Sequence, residues 1–354
     1  MSASDPSAIQ SMSHVRGLDS LRFVAAAIVA LSHGATFPAR QYFDSGSGIE
    51  RAIGAANELA FNGSAAVLVF FVVSGFCIHY PVTQGMDLRA GPFWVRRTIR
   101  VGVPLIVMIA IAELIGPTAA AALTVILWTL YCELIYYALY PVLRKIIDRV
   151  GLSLVLVVST VISFSIILSD WETLFYWEYS IWLTWLVALP VWLLGCLVAE
   201  RMATVRRPDP GATIWHWRAA VWMYSVASLA FFHHGGIQIG NPALLLPFGF
   251  LAAAWVEREI ACFQYRQPFA ILEWAGRWSF SLYLVHNVVI ALLPLGDTHL
   301  VADWLVRVVA IVVASLAFYW VVERPSHEFA RSASRRLAGR QALAAAMSNP
   351  PSTR

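Results

Sequence analysis

Long apolar runs constrain the fold of this chain more than any other feature of its sequence. A helix needs about 20 predominantly apolar residues to cross a bilayer, and the sequence contains about ten such runs. Hydrophobic residues make up 59% of the chain and charged residues only 13%. A water-soluble fold could not bury so much apolar surface. The sequence therefore predicts an all-α, polytopic membrane protein with about ten transmembrane helices, at 18–37, 61–80, 94–115, 120–142, 151–169, 179–199, 215–232, 241–256, 269–294 and 301–322.

The basic residues between these runs predict the orientation of the chain. If the N-terminus is cytoplasmic, most arginines fall in cytoplasmic loops, whereas the outer loops hold Arg40, Arg51 and almost no other cation. The positive-inside rule then predicts that both termini are cytoplasmic. The polar start lacks a cleavable signal-peptide pattern, so the first run is expected to be a retained span. We expect an N-terminal cytoplasmic segment at 1–16, a membrane domain at 17–323 and a cytoplasmic tail at 324–354.

The first predicted span, within GLDSLRFVAAAIVALSH, carries two side chains that lipid accommodates poorly. Arg22 and His33 are eleven residues apart, which on an α-helix means about 16 Å of rise and a net rotation of about 20°. Asp19 lies near the same stripe. A helix that turned this stripe toward lipid would lose several kcal/mol. We therefore expect Arg22 and His33 to face one hydrophilic chamber inside the protein.

Structural explanations of these residues stay open at this point. Arg22 could extend its charged end to the cytoplasmic interface, and His33 could form a hydrogen bond between helices. The functional alternative is that His33 acts as a general base, because the ordinary pKa of imidazole lies near neutrality.

Two further groups of polar residues are candidates for the same chamber, and a pair of cations in the first cytoplasmic loop is a candidate phosphate site. Glu133 lies in the middle of the fourth span, where a carboxylate needs a partner or a proton. Tyr283 and His286 are three residues apart and share one face of the ninth span. The pair of cations in FWVRRTIR has the fork geometry that suits phosphate. The two cations in FWVRRTIR are Arg97 and Arg100. Helix packing or membrane topology alone could explain each of these groups.

Ser74 and Gly75 interrupt an apolar run, and close packing between helices is the favoured explanation for them.

Several kinds of site are not indicated by this sequence. It has no phosphate-binding glycine loop, no Gly-x-Ser-x-Gly motif and no metal-spaced histidine cluster. The four cysteines form no CxxC pair, and three of them fall inside apolar runs. We therefore expect buried cysteines, no bound metal and no nucleic-acid partner.

Six motifs in order identify a family resemblance that covers about residues 16 to 327. GLDSLRFVAAAIVALSH, FFVVSGFCI, FWVRRTIR, LWTLYCELIYYALYP, GRWSFSLYLVHN and VVERP together resemble the integral-membrane acyltransferase 3 family. The resemblance implies transfer of an acyl group, with acetyl the expected one, from cytoplasmic acyl-coenzyme A to a hydroxyl. It implies a glycan or glycolipid acceptor, such as a sugar of a surface polysaccharide, lipopolysaccharide or glycosylated small molecule. It also implies a location in the bacterial cytoplasmic (inner) membrane.

The resemblance also implies roles for individual residues. Arg22 and His33 match the first-helix pair, and Glu133 matches the acidic residue of a Trp-Ser-Leu-x-x-Glu element in which this chain has Thr129 in place of serine. These three are the implied catalytic residues. No cofactor is expected to be tightly bound, since acyl-coenzyme A is a co-substrate. The residues implied to bind the acyl donor or substrate are Asp19, Arg97, Arg100, Tyr283 and His286.

The mechanism expected from this pattern has His33 as the base for the acceptor hydroxyl, with Glu133 orienting His33. The main alternative is a proton-coupled secondary transporter of a small polar solute, since intramembrane histidines and a glutamate also occur there. A scaffold subunit of a glycan-assembly complex is a third possibility. The sequence leaves the acyl group, the acceptor and the oligomeric state open.

Overall fold

The structure, a computed structural model, describes residues 15–43, 47–205, 207–234, 239–296 and 298–348. Most of the predicted segment 1–16 and the last six residues of the predicted tail lie outside this part of the chain. The described residues are almost entirely helical and include no strand, which confirms the all-α class. The helices are α1 (Leu18–Ala30), α2 (Ala39–Tyr42), α3 (Gly48–Leu59), α4 (Gly63–Thr83), α5 (Ala90–Ile115), α6 (Pro117–Val150), α7 (Leu152–Ser169), α8 (Thr184–Thr204), α9 (Ile214–His234), α10 (Asn241–Tyr265), α11 (Ala270–Gly276), α12 (Ser279–Leu292), α13 (Leu300–Phe318) and α14 (Arg324–Ser348).

Seven helical segments in the described part of the chain are long and apolar enough to cross a membrane. They coincide with seven of the predicted spans. The other three predicted spans coincide with α9, with α10 and with α11 plus α12. Of these, α12 is apolar but has only 14 residues. The count of about ten spans and the cytoplasmic position of the termini stay predictions.

Helix α4 is the centre of the bundle, and its closest approach is to α8. Its fourth turn carries Gly75, where an added Cβ would lie 2.0 Å from the carbonyl oxygen of Trp192 on α8. The contact is reciprocal, because a Cβ on Gly195 of α8 would lie 2.0 Å from the carbonyl oxygen of Val72. Small residues let the two backbones touch, as in many membrane helix pairs. The close-packing interpretation of Gly75 is therefore correct.

The first span changes its helical geometry before it ends. The regular α-helix stops at Ala30, and a π-helical turn follows at Leu31–Ala35, with Gly34 at a φ of 111°. Two side chains of α13 hold this turn: Arg307 donates to the carbonyl of Gly34 at 3.0 Å, and Trp304 donates to that of Ala35 at 3.1 Å. Such π turns occur often at functional sites. The prediction of one regular helix from Arg22 to His33 was therefore wrong beyond Ala30.

The end of the last span also differs from the prediction. Proline usually ends or kinks a helix, so Pro325 predicts a stop here, but a π turn at Tyr319–Glu323 leads directly into α14, and the proline is the second residue of that helix. Helix α14 then returns along α5: Ser326 donates to the carbonyl of Ile99 at 2.8 Å, and Ser334 donates to that of Pro92 at 2.9 Å. The described part of the predicted tail is thus a packed helix.

We predict that Gly75→Ala lowers the thermal stability of the detergent-solubilised protein. An added methyl cannot fit 2.0 Å from a backbone oxygen, so α4 and α8 must separate, which costs about 1–3 kcal/mol. Gly102→Ala on α5 is the matched control, because its Cβ would meet only the methyl of Thr98 at 3.8 Å. Equal melting temperatures of the two variants would contradict the packing argument.

Candidate active site

A cavity of about 510 Å³ lies among α1, α4, α5, α6, α12 and α14, at the ends of α1 and α12 where these helices begin. It brings together six of the eight predicted site residues, although they come from four helices. This agrees with the expectation that polar residues on apolar helices face a common interior. The six residues are Asp19, Arg22, Arg97, Arg100, Glu133 and Tyr283.

Helical spacing explains how two of these helices face the cavity. On α6, Thr129, Glu133 and Tyr137 follow one another at intervals of four and all line it. On α5, Arg97 and Arg100 are three residues apart and line it together. Each helix therefore contributes a polar stripe.

The cavity has more positive than negative charge. Five arginines line it against three carboxylates, those of Asp19, Glu133 and Glu323. Arg22 forms a 3.7 Å ion pair with Asp19. The Arg97 guanidinium instead lies 5.5 Å from the centre of the Tyr137 ring, and its buried Nε has no hydrogen-bond partner in the described part of the chain. A partly desolvated excess of guanidinium groups is suited to a polyanion such as a phosphate ester.

Glu133 is held by hydroxyl groups. The hydroxyls of Ser74 on α4 and of Tyr137 on α6 both donate to its Oε1, the first at 2.8 Å. Both hydroxyls donate to the same carboxylate oxygen. The expectation that Glu133 orients His33 is not met, because the ring of His33 has a different partner. Ser74 therefore has a polar role in addition to its place in the α4–α8 contact.

That partner is His286. The Nδ1 of His33 lies 2.9 Å from the Nε2 of His286, and the ring planes are parallel. The ring centres are 5.2 Å apart. This is the separation expected when two imidazoles lie edge to edge in one plane and are joined by a nitrogen–nitrogen hydrogen bond. We call these two residues the histidine pair. One comes from the π turn after α1 and the other from α12.

The hydrogen bonds of the pair determine which ring nitrogens carry protons. The Nδ1 of His286 lies 3.0 Å from the carbonyl oxygen of Leu282, which can only accept, so this nitrogen carries a hydrogen. In a neutral ring the Nε2 of His286 is then an acceptor, and the Nδ1 of His33 must donate to it. The Nε2 of His33 is left with a free lone pair. A neutral histidine pair therefore presents one base, and it is on His33.

The histidine pair lies next to the cavity but does not line it. Tyr283 lies between the cavity and the histidine pair. It lines the cavity, and its ring centre is 6.0 Å from that of His286, which is one turn further along α12. The hydroxyl of Tyr283 lies 2.6 Å from that of Thr129 on α6. The prediction that Arg22 and His33 face one chamber was therefore wrong for this conformation: Arg22 lines the cavity, and His33 lies beyond Tyr283.

Sequence reasoning missed several residues of this region. His327 and Arg331 of α14 line the cavity beside Arg97 and Arg100. No local sequence pattern shows that α14 packs against α5. Arg307, which holds the π turn below His33, is 6% exposed on an apolar helix. A buried arginine in a predicted span is a signal that could have singled it out.

The comparisons with known proteins assign the family. No curated protein and no solved structure matches the chain. The model of the acyltransferase 3 family, described as an acyltransferase domain, matches residues 15–324. That match covers most of the chain and all eight predicted site residues, and it ends before His327 and Arg331. The chain therefore belongs to the acyltransferase 3 family of multi-pass membrane acyltransferases.

Proposed function

We propose that this membrane acyltransferase moves an acyl group, with acetyl the expected one, from cytoplasmic acyl-coenzyme A to a sugar hydroxyl. The acceptor would belong to a surface polysaccharide, lipopolysaccharide or glycosylated small molecule, and the enzyme would work in the bacterial inner membrane. The observation that carries the proposal is an arginine-rich cavity lined by Tyr283, one helical turn from His286, which in turn holds His33 with the lone pair of its Nε2 free. The polyphosphate head of a thioester donor would fit the arginine-rich cavity, and its neutral arm would fit the path toward His33.

The excess of arginines supports a binding mode for the donor. The phosphate groups would sit against Arg97 and Arg100 of α5 and against Arg331 of α14 beside them. The uncharged pantetheine arm would continue past Tyr283 toward His33. In the present conformation the hydrogen-bonded hydroxyls of Tyr283 and Thr129 lie on that path, so binding of the arm would displace the Tyr283 side chain.

The transfer step needs one base and one leaving thiol. His33 Nε2 takes the proton of the acceptor hydroxyl, and the oxygen attacks the thioester carbonyl carbon. The carbon–sulfur bond then breaks, and the departing thiolate takes the proton from His33, giving the ester and free coenzyme A. His286 acts as a positioning residue, because its Nε2 accepts from His33 Nδ1 throughout and keeps the reactive lone pair on Nε2.

We predict that His33→Ala lowers kcat by about 10²–10⁴-fold, the usual contribution of a general base. The assay is release of coenzyme A thiol from acetyl-coenzyme A by purified, folded protein in the presence of a glycan acceptor. His216→Ala is the matched control, since this histidine is exposed on α9, away from the cavity. Normal turnover by the His33 variant would eliminate the base assignment.

A second prediction concerns the hydrogen bond within the histidine pair. His286→Leu removes the acceptor for His33 and should lower kcat with little change in KM for the donor, whereas His286→Gln offers a carbonyl oxygen at a similar place and should restore part of kcat. A purely structural role would make both variants lose stability and activity together. Thermal unfolding of both proteins separates these two outcomes.

A third prediction tests the donor with three probes: coenzyme A, dephospho-coenzyme A and pantetheine. Arg97→Ala with Arg100→Ala, and separately Arg331→Ala, should weaken coenzyme A binding roughly tenfold or more, because a hydrogen bond to a charged group is worth about 1.5–3 kcal/mol. Pantetheine binding should not change, since it has no phosphate.

The matched control for this series is Arg336→Ala, an exposed arginine of α14 that does not line the cavity. Binding is measured by thermal shift and by calorimetry in detergent. If the wild-type protein binds none of the three probes, the proposed donor is wrong. If it binds coenzyme A and the Arg331 variant binds equally well, only the contribution of α14 is refuted.

A further inference from the structure

A second, smaller cavity of about 270 Å³ lies beside the first, between the α11–α12 connection and the π turn after α13. It shares Arg277 and Tyr319 with the larger cavity. Its other lining residues belong to neither the donor cavity nor the histidine pair, and the proposed acyl transfer does not use them. The ones that matter here are Trp274, Trp278, Trp320 and Arg324.

This smaller cavity is basic and aromatic. Arg277 and Arg324 line it, and no carboxylate does so in the described part of the chain. The Arg324 guanidinium lies over the ring of Trp320, 4.6 Å from its centre. The Nε of Arg324 also lies 3.1 Å from the Oε1 of Glu328. Both side chains of this ion pair are about half exposed, so solvent screens the interaction. The charge of Arg324 therefore remains available to an anion.

A buried donor without a partner lies in the wall of this cavity. Trp278 is 5% exposed, and its indole N–H has no hydrogen-bond partner among the described residues. The ring is held in edge-to-face contacts by Phe23, at 5.5 Å, and by Trp274, at 5.7 Å. Leaving such a donor unsatisfied costs about 1–3 kcal/mol. The N–H has almost no accessible surface, so an acceptor atom of a bound molecule would remove this cost once the Trp278 ring turns toward the cavity.

The surroundings of the cavity are apolar surface that faces lipid in a membrane protein. Trp274 and Trp320 are about half exposed, and the neighbouring side chains of Ile271 and Val321 are more than two-thirds exposed. Tryptophan and arginine at the same level of a helix bundle are typical of the zone where lipid headgroups meet the hydrocarbon core. The residues around the cavity are therefore those expected at the level of phospholipid phosphates.

We propose that this cavity binds the headgroup of an anionic phospholipid, from the leaflet on the side of Arg97 and Arg100. Arg324 and Arg277 would pair with the phosphate, and the N–H of Trp278 would donate to a phosphate or ester oxygen. Trp274 and Trp320 would flank the glycerol. Basic pockets between membrane helices bind headgroups in this way. The proposal does not depend on acyl transfer, although Arg277 also lines the cavity proposed to bind the acyl donor.

The test measures lipid binding to the full-length, detergent-purified protein by native mass spectrometry. Phosphatidylglycerol and phosphatidylcholine with the same acyl chains are the probes. We expect wild-type protein to retain phosphatidylglycerol preferentially, and Arg324→Gln or Trp278→Phe to reduce its affinity about tenfold. Arg335→Gln is the matched control: it removes the same charge from an exposed position on α14 and should leave lipid binding unchanged.

Two results would overturn the proposal. Equal retention of the two lipids by wild-type protein would reduce the cavity to a nonspecific part of the lipid-facing surface. Displacement of phosphatidylglycerol by excess inorganic phosphate would reassign the site to a soluble phosphate compound. If the variants fail to fold, brominated lipids test wild-type protein directly: brominated phosphatidylglycerol should quench tryptophan fluorescence more than brominated phosphatidylcholine, and equal quenching would refute the site.

Discussion

A charged or polar side chain on an apolar helix is tolerable only if neighbouring helices give it partners or a wet cavity, and this constraint organises the whole bundle. Glu133 is held by two hydroxyls from α4 and α6. Arg307 is held by two backbone carbonyls, those of Gly34 and Leu293. Arg22, Arg97 and Arg100 line one cavity, and α4, which contributes to its wall, packs closely against α8.

The same constraint explains how much could be predicted from the sequence. Each polar residue inside an apolar run has to point inward, so Arg22, Glu133 and Tyr283 were expected to meet, and all three line the cavity. A donor-binding role for Arg97 and Arg100 was implied only by the family resemblance. The interval of four between Glu133 and Tyr137, and of three between Arg97 and Arg100, put each pair on one helix face. The helices themselves follow from the length of the apolar runs.

The rest depends on contacts between distant parts of the chain. The π turn at Leu31–Ala35 is fixed by Trp304 and Arg307 of α13, and nothing local to GLDSLRFVAAAIVALSH specifies it. The partner of His33 is 253 residues away, and sequence spacing cannot choose between that imidazole and a carboxylate on α6. Helix α14 is joined to α5 by hydrogen bonds from the hydroxyls of Ser326 and Ser334 to backbone carbonyls of α5. In the sequence these two serines look like ordinary surface residues.

The position of the histidine pair follows from the cost of burying charge. A polyphosphate cannot leave the arginines for an apolar interior without losing several kcal/mol, so a donor of this kind must keep its head at the mouth and send only a neutral arm inward. Two neutral imidazoles suit that depth, because each satisfies the other without a net charge. A carboxylate beside His33 would bury a charge where only the neutral arm of the proposed donor would arrive. Separation of Arg97 and Arg100 from His33 by Tyr283 is therefore the arrangement that the proposed donor, with its charged head and neutral reactive end, would require.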